Sequence, residues 1–96
     1  MDYNITTFII DNKPFKTITT LNPILNSLII PDYIDMVNCT INNLTELLLP
    51  DNLKSLICWK NNISELTLNK NLNYLSCDIF VDIKNINHEK LKIVFY

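Results

Sequence analysis

Residues 53–66 read LKSLICWKNNISEL, and residues 34–47 read IDMVNCTINNLTEL, which is the same pattern nineteen residues earlier. Both stretches follow the template L-x-x-L-x-C-x-x-N-x-L-x-x-L, with an apolar residue or a cysteine at each fixed apolar position. Cys39, Cys58 and Cys77 share the spacing. Repetition at such a period is the sequence signature of a solenoid, in which each coil packs against its neighbours.

The flanking copies follow the pattern less strictly. The fourth copy slips by one residue after Cys77, and Pro23 and Phe80 occupy the asparagine position. The apolar positions of the outer copies are Phe15, Ile18, Leu25 and Leu28 in the first, Leu72, Leu75, Ile83 and Ile86 in the fourth, and Leu91, Val94 and Tyr96 in the last. Terminal repeats are expected to be atypical. We predict one domain, residues 1–96, with an N-terminal cap at 1–14 and repeats at about 15–33, 34–52, 53–71, 72–90 and a truncated 91–96.

Each copy has room for a short strand and a return leg that is either extended or a single short 3₁₀ turn. Positions four and six of the pattern have the period of two that is typical of a strand with one buried face. A repeat of nineteen residues is too short for a strand, two turns and a long helix. Pro31 and Pro50 also disfavour a helix in the return leg, because proline lacks the N–H that a helix interior needs. We therefore predict about five parallel strands.

The pattern resembles the leucine-rich-repeat consensus, with cysteine at the third apolar position of the strand. Pro31 and Pro50 stand three residues before the first apolar residue of a strand, as in the short repeats of bacterial effectors and of AT-rich viral and protist proteins. The resemblance covers roughly residues 15–96. It implies a leucine-rich-repeat solenoid of the α/β horseshoe class, mostly β with little helix.

Asn42 and Asn61 follow the predicted strands directly, where inward-facing backbone groups lose water. A side-chain amide both donates and accepts, so stacked asparagines can satisfy these groups. In the leucine-rich-repeat family this arrangement is the asparagine ladder. The alternative is that the two amides bind a ligand.

The sequence predicts a capping hairpin at the N-terminal end of the solenoid and an exposed strand edge at its C-terminal end. Residues 3–10 read as a strand and residues 11–14 as a turn, so a capping hairpin onto the Phe15 strand should cover the N-terminal end of the core. The last strand, from Leu91 to Tyr96, has nothing after it. Its unpaired edge predicts a homodimer or another assembly.

The cysteine column is predicted to be structural. Buried free cysteine is a small apolar side chain. Three thiols pointing the same way into a tight core do not offer the tetrahedral spread of a zinc site, and the single histidine, His88, lies in the connection before the last strand. Disulfides between adjacent in-register strands have poor geometry and would leave one cysteine over. We predict no metal and no cofactor. One histidine and no glycine also give little support to catalysis, so we do not expect an enzyme.

The residues between the buried positions should point into the concave side of the sheet. Several are large and apolar, and Trp and Tyr are enriched at interface hot spots. The predicted partner-binding residues are Met36, Asn38, Ile57, Trp59, Tyr74, Ser76, Ile93 and Phe95. Two alternatives stay open: some of these residues pack against the chain's own termini, or the assignment of faces is shifted by one.

Charge and hydropathy disfavour two classes of function, nucleic-acid binding and membrane insertion. A net charge of −2 without a basic cluster disfavours nucleic-acid binding. No apolar run approaches the ~18 residues of a membrane span, and the N-terminus lacks the features of a signal peptide. We expect a cytoplasmic protein, in the host cytoplasm if it is viral or an effector. The predicted function is a protein–protein interaction module that binds a partner on the concave face. The alternative is a self-assembling homo-oligomeric unit, joined through the apolar face or the C-terminal edge strand.

Overall fold

A computed structural model describes residues 3–20, 25–86 and 90–96. This part of the chain contains strands and no helix. The eight strands are β1 (Tyr3–Ile10), β2 (Lys13–Thr20), β3 (Met36–Asn38), β4 (Ser55–Ile57), β5 (Glu65–Thr67), β6 (Tyr74–Cys77), β7 (Asp82–Lys84) and β8 (Lys92–Phe95). They form a parallel-strand β-solenoid of about four turns. The predicted stacking of parallel coils is therefore confirmed. Pro23, at the asparagine position of the first copy, and His88, before the last strand, lie outside the described residues.

The main sheet has six strands in the order β1-β2-β3-β4-β6-β8. All neighbours from β2 to β8 are parallel, and β1 alone is antiparallel to its neighbour. Val37 pairs with Leu56, and Leu56 pairs with Leu75, so equivalent repeat positions lie side by side. The return legs are extended, and the last two complete ones form a second sheet in which β5 pairs with β7.

A tight turn precedes each strand of the repeat. The N–H of Ile34 donates to the Pro31 carbonyl at 3.2 Å, and the N–H of Leu53 donates to the Pro50 carbonyl at 3.1 Å. Proline suits the start of such a turn because its carbonyl can accept although it has no N–H to donate. The two prolines therefore end the return leg and direct the chain into the next strand.

The core is a dry column of aliphatic and cysteine side chains. Ile34, Val37, Leu53, Leu56 and Leu75 have no exposed surface. The thiols of Cys39, Cys58 and Cys77 are free and buried. Burial raises the pKa of Cys39 to about 12 and, with help from the charge of Asp78, that of Cys77 to about 11. Burial also raises the pKa of Cys58, so all three thiols stay protonated and apolar.

The predicted asparagine bonds are present. Oδ1 of Asn42 accepts from the Leu25 N–H at 2.8 Å, and its Nδ2 donates to the Cys39 carbonyl at 2.9 Å. Oδ1 of Asn61 accepts from the Leu44 N–H at 3.1 Å. Its Nδ2 donates to the carbonyls of both Cys39 and Cys58, at 2.9 and 3.0 Å. Each amide therefore connects backbone groups of its own coil with those of the coil before it.

The N-terminal hairpin is also confirmed, but it covers less of the core than predicted. Asp11 and Asn12 form a two-residue turn, both with φ near +50 to +62°, which matches the twist of a hairpin. Of the residues of β1, Tyr3 packs against the core. Because β3 pairs only with Thr17–Thr19 of β2, the turn end of the hairpin extends past the solenoid. Its apolar side chains at Phe8, Ile9 and Ile10 are consequently exposed.

The predicted faces of the last strand are wrong by one residue. Leu75 pairs with Ile93, and Cys77 pairs with Phe95, so this coil is one residue shorter than the repeat. A shift of one residue moves every side chain to the other face of a strand. Ile93 thus packs against the core and Phe95 continues the cysteine column, whereas Val94 lies on the outward face. Phe95 is 49% exposed.

The spacing between equivalent residues is even smaller in the second sheet, which contains the return leg after Cys77. Leu66 pairs with Ile83, a spacing of seventeen residues. Ile83 is therefore structurally equivalent to Leu66. The sequence pattern had aligned Ile83 with Ile63, and that alignment is wrong. Ile86, predicted to be a core position, is exposed.

Candidate functional site

The candidate site is the outward face of the six-stranded sheet, which we define by the two columns of residues that flank the buried column of Ile18, Val37, Leu56 and Leu75. Alternate residues of a strand point to opposite faces, so the neighbours of these buried residues point away from the core. One column contains Thr17, Met36, Ser55, Tyr74 and Lys92, and the other contains Thr19, Asn38, Ile57, Ser76 and Val94. Met36, Asn38, Ile57, Tyr74 and Ser76 thus lie on the predicted face.

The outward face is nearly uncharged. Lys92 is the single charged residue in the two columns. Met36, Asn38, Ile57 and Tyr74 are half-buried, while Ser76 is buried between its neighbours. The face therefore presents Met36, Ile57 and Tyr74, which solvent reaches only in part, among mostly uncharged polar side chains.

The hairpin continues this face beyond the repeats. Phe15 lies two residues before Thr17 on β2 and so points the same way, and it pairs with Phe8 of β1. Phe8 is exposed and Phe15 is half-buried. The sequence pattern had placed β1 in the cap and the Phe15 strand in the first repeat, and did not predict this extension. The signal was present in the alternation of Phe15, Thr17 and Thr19 with the buried Ile18.

Trp59, predicted as a binding anchor, is already stacked within the chain. Its indole lies on the Tyr96 ring with centroids 4.2 Å apart and 14° between the planes. Nζ of Lys60 lies 5.5 Å from the Trp59 centroid and 5.4 Å from the Tyr96 centroid, within the range of cation–π attraction. The alternative that some face residues pack against the chain's own terminal segment thus holds for Trp59. Trp59 is half-buried, so part of its surface remains accessible to solvent on the same side of the chain as Ile57.

Asp78 is buried next to this aromatic pair, in the copy that lacks a ladder asparagine. Its carboxylate accepts from the N–H groups of Lys60 at 2.9 Å and Asn61 at 3.3 Å. The next ladder position holds Phe80, which is exposed. The sequence signal is an aspartate directly after a strand in the copy that lacks its asparagine.

A charged cluster lies at the start of the strands. The Asp35 carboxylate accepts from the Lys16 N–H at 2.8 Å and from Nζ of Lys54 at 2.6 Å. Partial burial would raise the pKa of Asp35, but the hydrogen bonds from Lys54 and Lys16 outweigh it and lower the pKa. The repeat places Lys16, Asp35 and Lys54 nineteen residues apart, so the cluster is a ladder of opposite charges on adjacent coils.

The return legs expose apolar residues that the sequence pattern did not single out. Ile29 and Leu48, nineteen residues apart, are each 86% exposed, more than any other large apolar side chain of the described residues. The run of three leucines at 47–49 was the available signal, since Leu47 is buried and Leu49 packs against the core, which leaves Leu48 exposed.

Comparison of the chain with protein-family models, with curated proteins and with solved structures gave no match. The described residues include no helix of the length and hydropathy needed to cross a membrane. They also include no group of three histidine, cysteine or acidic side chains placed to hold a metal ion.

Proposed function

We propose that this chain is a leucine-rich-repeat module that binds a protein partner on its outward sheet face. The repeat identity is supported by the nineteen-residue pattern and by the side-chain bonds of Asn42 and Asn61. Three free, buried thiols favour a reducing compartment, which supports a cytoplasmic location. The proposal includes no catalytic role and no cofactor.

The observation that carries this function is the composition of the face. A solvated sheet face normally alternates polar residues with the buried ones. Here the face carries Phe8, Phe15, Met36, Ile57 and Tyr74 on consecutive strands, among uncharged polar residues, with Lys13 at one end and Lys92 at the other. Depletion of charge with enrichment of aromatic residues and methionine distinguishes the centre of a protein interface. A protein partner would bury this strip, with Tyr74 and the free side of Trp59 as anchors.

The test compares equal charges placed on two sides of the molecule. Ile57→Asp adds a carboxylate to the outward face, and Ile29→Asp adds one to the exposed return leg. Partners recovered with the tagged wild-type chain should be lost with Ile57→Asp and kept with Ile29→Asp. Circular dichroism must show that both variants are folded. Loss with Ile29→Asp and retention with Ile57→Asp would contradict the proposed face.

Self-assembly is a second candidate, favoured by the free edge of β1. Residues 3–10 carry no charge, and Ile9 is 71% exposed. Long uncharged edge strands pair readily with other strands. The predicted dimer through Leu91–Tyr96 would use the β8 edge instead, which presents Lys92. Light scattering tests these candidates: a dimer abolished by Ile9→Lys indicates β1, a dimer that persists indicates β8 or the outward face, and a monomer contradicts self-assembly.

A further inference from the structure

A groove separates two return legs that the repeat would otherwise place in contact. The legs are residues 45–51 and residues 64–69, which include β5. At one end the Asn62 N–H donates to the Leu44 carbonyl at 2.9 Å, and at the other end Nδ2 of Asn69 donates to the Asp51 carbonyl at 3.0 Å. Between these bonds the two described legs are joined by no hydrogen bond. They enclose about 550 Å³, which is the size of a ligand site.

The β5 wall of this groove is an unpaired strand edge. β5 has one strand neighbour, β7. The Asp82 N–H donates to the Ser64 carbonyl, and the Leu68 N–H donates to the Lys84 carbonyl, so these residues direct their backbone groups toward β7. Because the direction alternates along a strand, Glu65 and Thr67 direct theirs into the groove. An extended peptide can hydrogen-bond to such an edge as an added strand.

The charged side chains that line the groove are all acidic, although Glu65 interacts with the ammonium of Lys84 on the adjacent β7. Glu46, Asp51 and Glu65 line it, and no lysine does. A second groove of about 520 Å³ on the other side of Leu48 adds Asp32 and again no lysine. Leu48, between the two grooves, supplies an exposed apolar ridge. Acidic walls beside an aliphatic ridge are complementary to a ligand that is both cationic and aliphatic.

A buried acceptor at the Asp51 end also lacks a partner. Asn69 is 8% exposed, and its Nδ2 donates to the carbonyls of Asp51 and Leu53. Its Oδ1 has no hydrogen-bond partner among the described residues. Buried polar atoms are nearly always paired, so each exception requires an explanation.

We propose that this groove binds an extended basic peptide in which lysine and aliphatic side chains alternate. The peptide backbone pairs with the Glu65 and Thr67 edge of β5. Its ammonium groups lie against Glu46 and Glu65, which are exposed, and its aliphatic side chains point the opposite way, toward the inward-facing Leu47 and Leu68. The groove is built from return legs and shares no residue with the outward face, so binding here is independent of the partner site proposed above.

Fluorescence anisotropy with a labelled hexapeptide of alternating lysine and leucine tests the site. The peptide should bind the wild-type chain with a Kd below about 1 mM, and the same peptide with glutamate in place of lysine should not bind. Glu46→Gln should weaken binding about threefold to fivefold, as expected for one exposed ion pair. Asp11→Asn, which removes the same charge at the hairpin turn, should leave the Kd unchanged. Equal weakening by both variants, or no binding at all, would overturn the proposed site.

The strand pairing has its own test. Thr67→Pro removes the groove-facing N–H, which an edge strand tolerates, whereas Thr67→Val keeps it. Binding should be lost with proline and kept with valine. In the unmodified chain, the Thr67 amide should exchange with deuterium more slowly once the peptide is bound. An exchange rate at Thr67 that the peptide leaves unchanged would overturn the pairing, even if Thr67→Pro does not fold.

Discussion

The indole of Trp59 lies against the phenol ring of Tyr96, with the ring centroids 4.2 Å apart. Trp59 follows β4 and Tyr96 follows β8, so the stack passes over the intervening β6, whose next residue is the buried Asp78. The Tyr96 N–H continues the sheet ladder by donating to the Cys77 carbonyl at 2.9 Å. The stack therefore connects the last strand with a strand two positions away in the sheet.

Removal of the Tyr96 ring should weaken this connection. Tyr96→Ala should lower the free energy of unfolding by about 1–2 kcal/mol, since aromatic pairs contribute about 0.5–1.5 kcal/mol beyond their buried area. Trp59 is the single tryptophan, so its fluorescence reports the change directly, and its emission should shift to the red as water reaches the indole. Tyr96→Phe keeps the stack and serves as the control. An unchanged emission maximum in Tyr96→Ala would show that the stack does not protect Trp59 in solution.

The ladder asparagines should be among the most sensitive polar positions. Asn61→Ala leaves the Leu44 N–H and the Cys58 carbonyl without their partners in a buried place. Each bare group costs about 1–3 kcal/mol, so urea unfolding should show a loss of at least about 2 kcal/mol. The adjacent Asn62 is exposed and bonds to Asn43 at the surface, so Asn62→Ala should cost less than about 0.5 kcal/mol. Similar losses for the two variants would contradict the ladder.

The nineteen-residue spacing predicted the register of the sheet as far as β6, because each coil up to that point has the same length. It failed where the coils shorten, as the pairs of Leu66 with Ile83 and Leu75 with Ile93 show. A strand has a period of two, so one missing residue exchanges the faces of a whole strand. The Trp59–Tyr96 stack depends on the register of this shortened coil. The repeat pattern predicts coils of equal length, so it could not predict the stack. The groove beside β5 was equally invisible, since the repeat predicts equal contact between all neighbouring legs.

Ile41 has a backbone conformation that does not suit a β-branched residue. Its φ is 56°, in the left-handed region, and its side chain is exposed. β-Branched residues are disfavoured there, whereas asparagine tolerates the conformation. Ile41→Asn should therefore raise the free energy of unfolding by about 1 kcal/mol. Lys60, the equivalent residue one coil later with φ of 58°, is unbranched, so Lys60→Asn should give a smaller gain. A destabilised Ile41→Asn would show that the isoleucine side chain makes contacts that outweigh the strain.

Asp35 should contribute to the acid sensitivity of the fold. Its pKa is lower in the folded chain than the ordinary 3.8, because the Lys54 ammonium and the Lys16 N–H outweigh the effect of partial burial. A carboxyl whose folded pKa is depressed stabilises the fold fully above its unfolded pKa, and this contribution is lost as the pH falls through the folded value. Thermal unfolding of the wild type should lose stability below about pH 4, by about 1 kcal/mol or less from this pair. In Asp35→Asn the difference from wild type should be present at pH 7 and should shrink toward pH 2. A difference that stays constant with pH would exclude the charge as its cause.

The three buried cysteines should not react with thiol reagents until the chain unfolds. Burial raises the pKa of Cys39 to about 12, and the thiolate is the form that reacts with disulfide reagents. At pH 8 we expect all three thiols to react with an aromatic disulfide at the rate of unfolding, and at once in denaturant. Cys58→Ala should cost less than Cys58→Ser, because a hydroxyl in this apolar column needs a hydrogen-bond partner that a methyl group does not. Rapid modification of Cys58 in the native chain, or a serine variant as stable as the alanine variant, would show that the column is open to water.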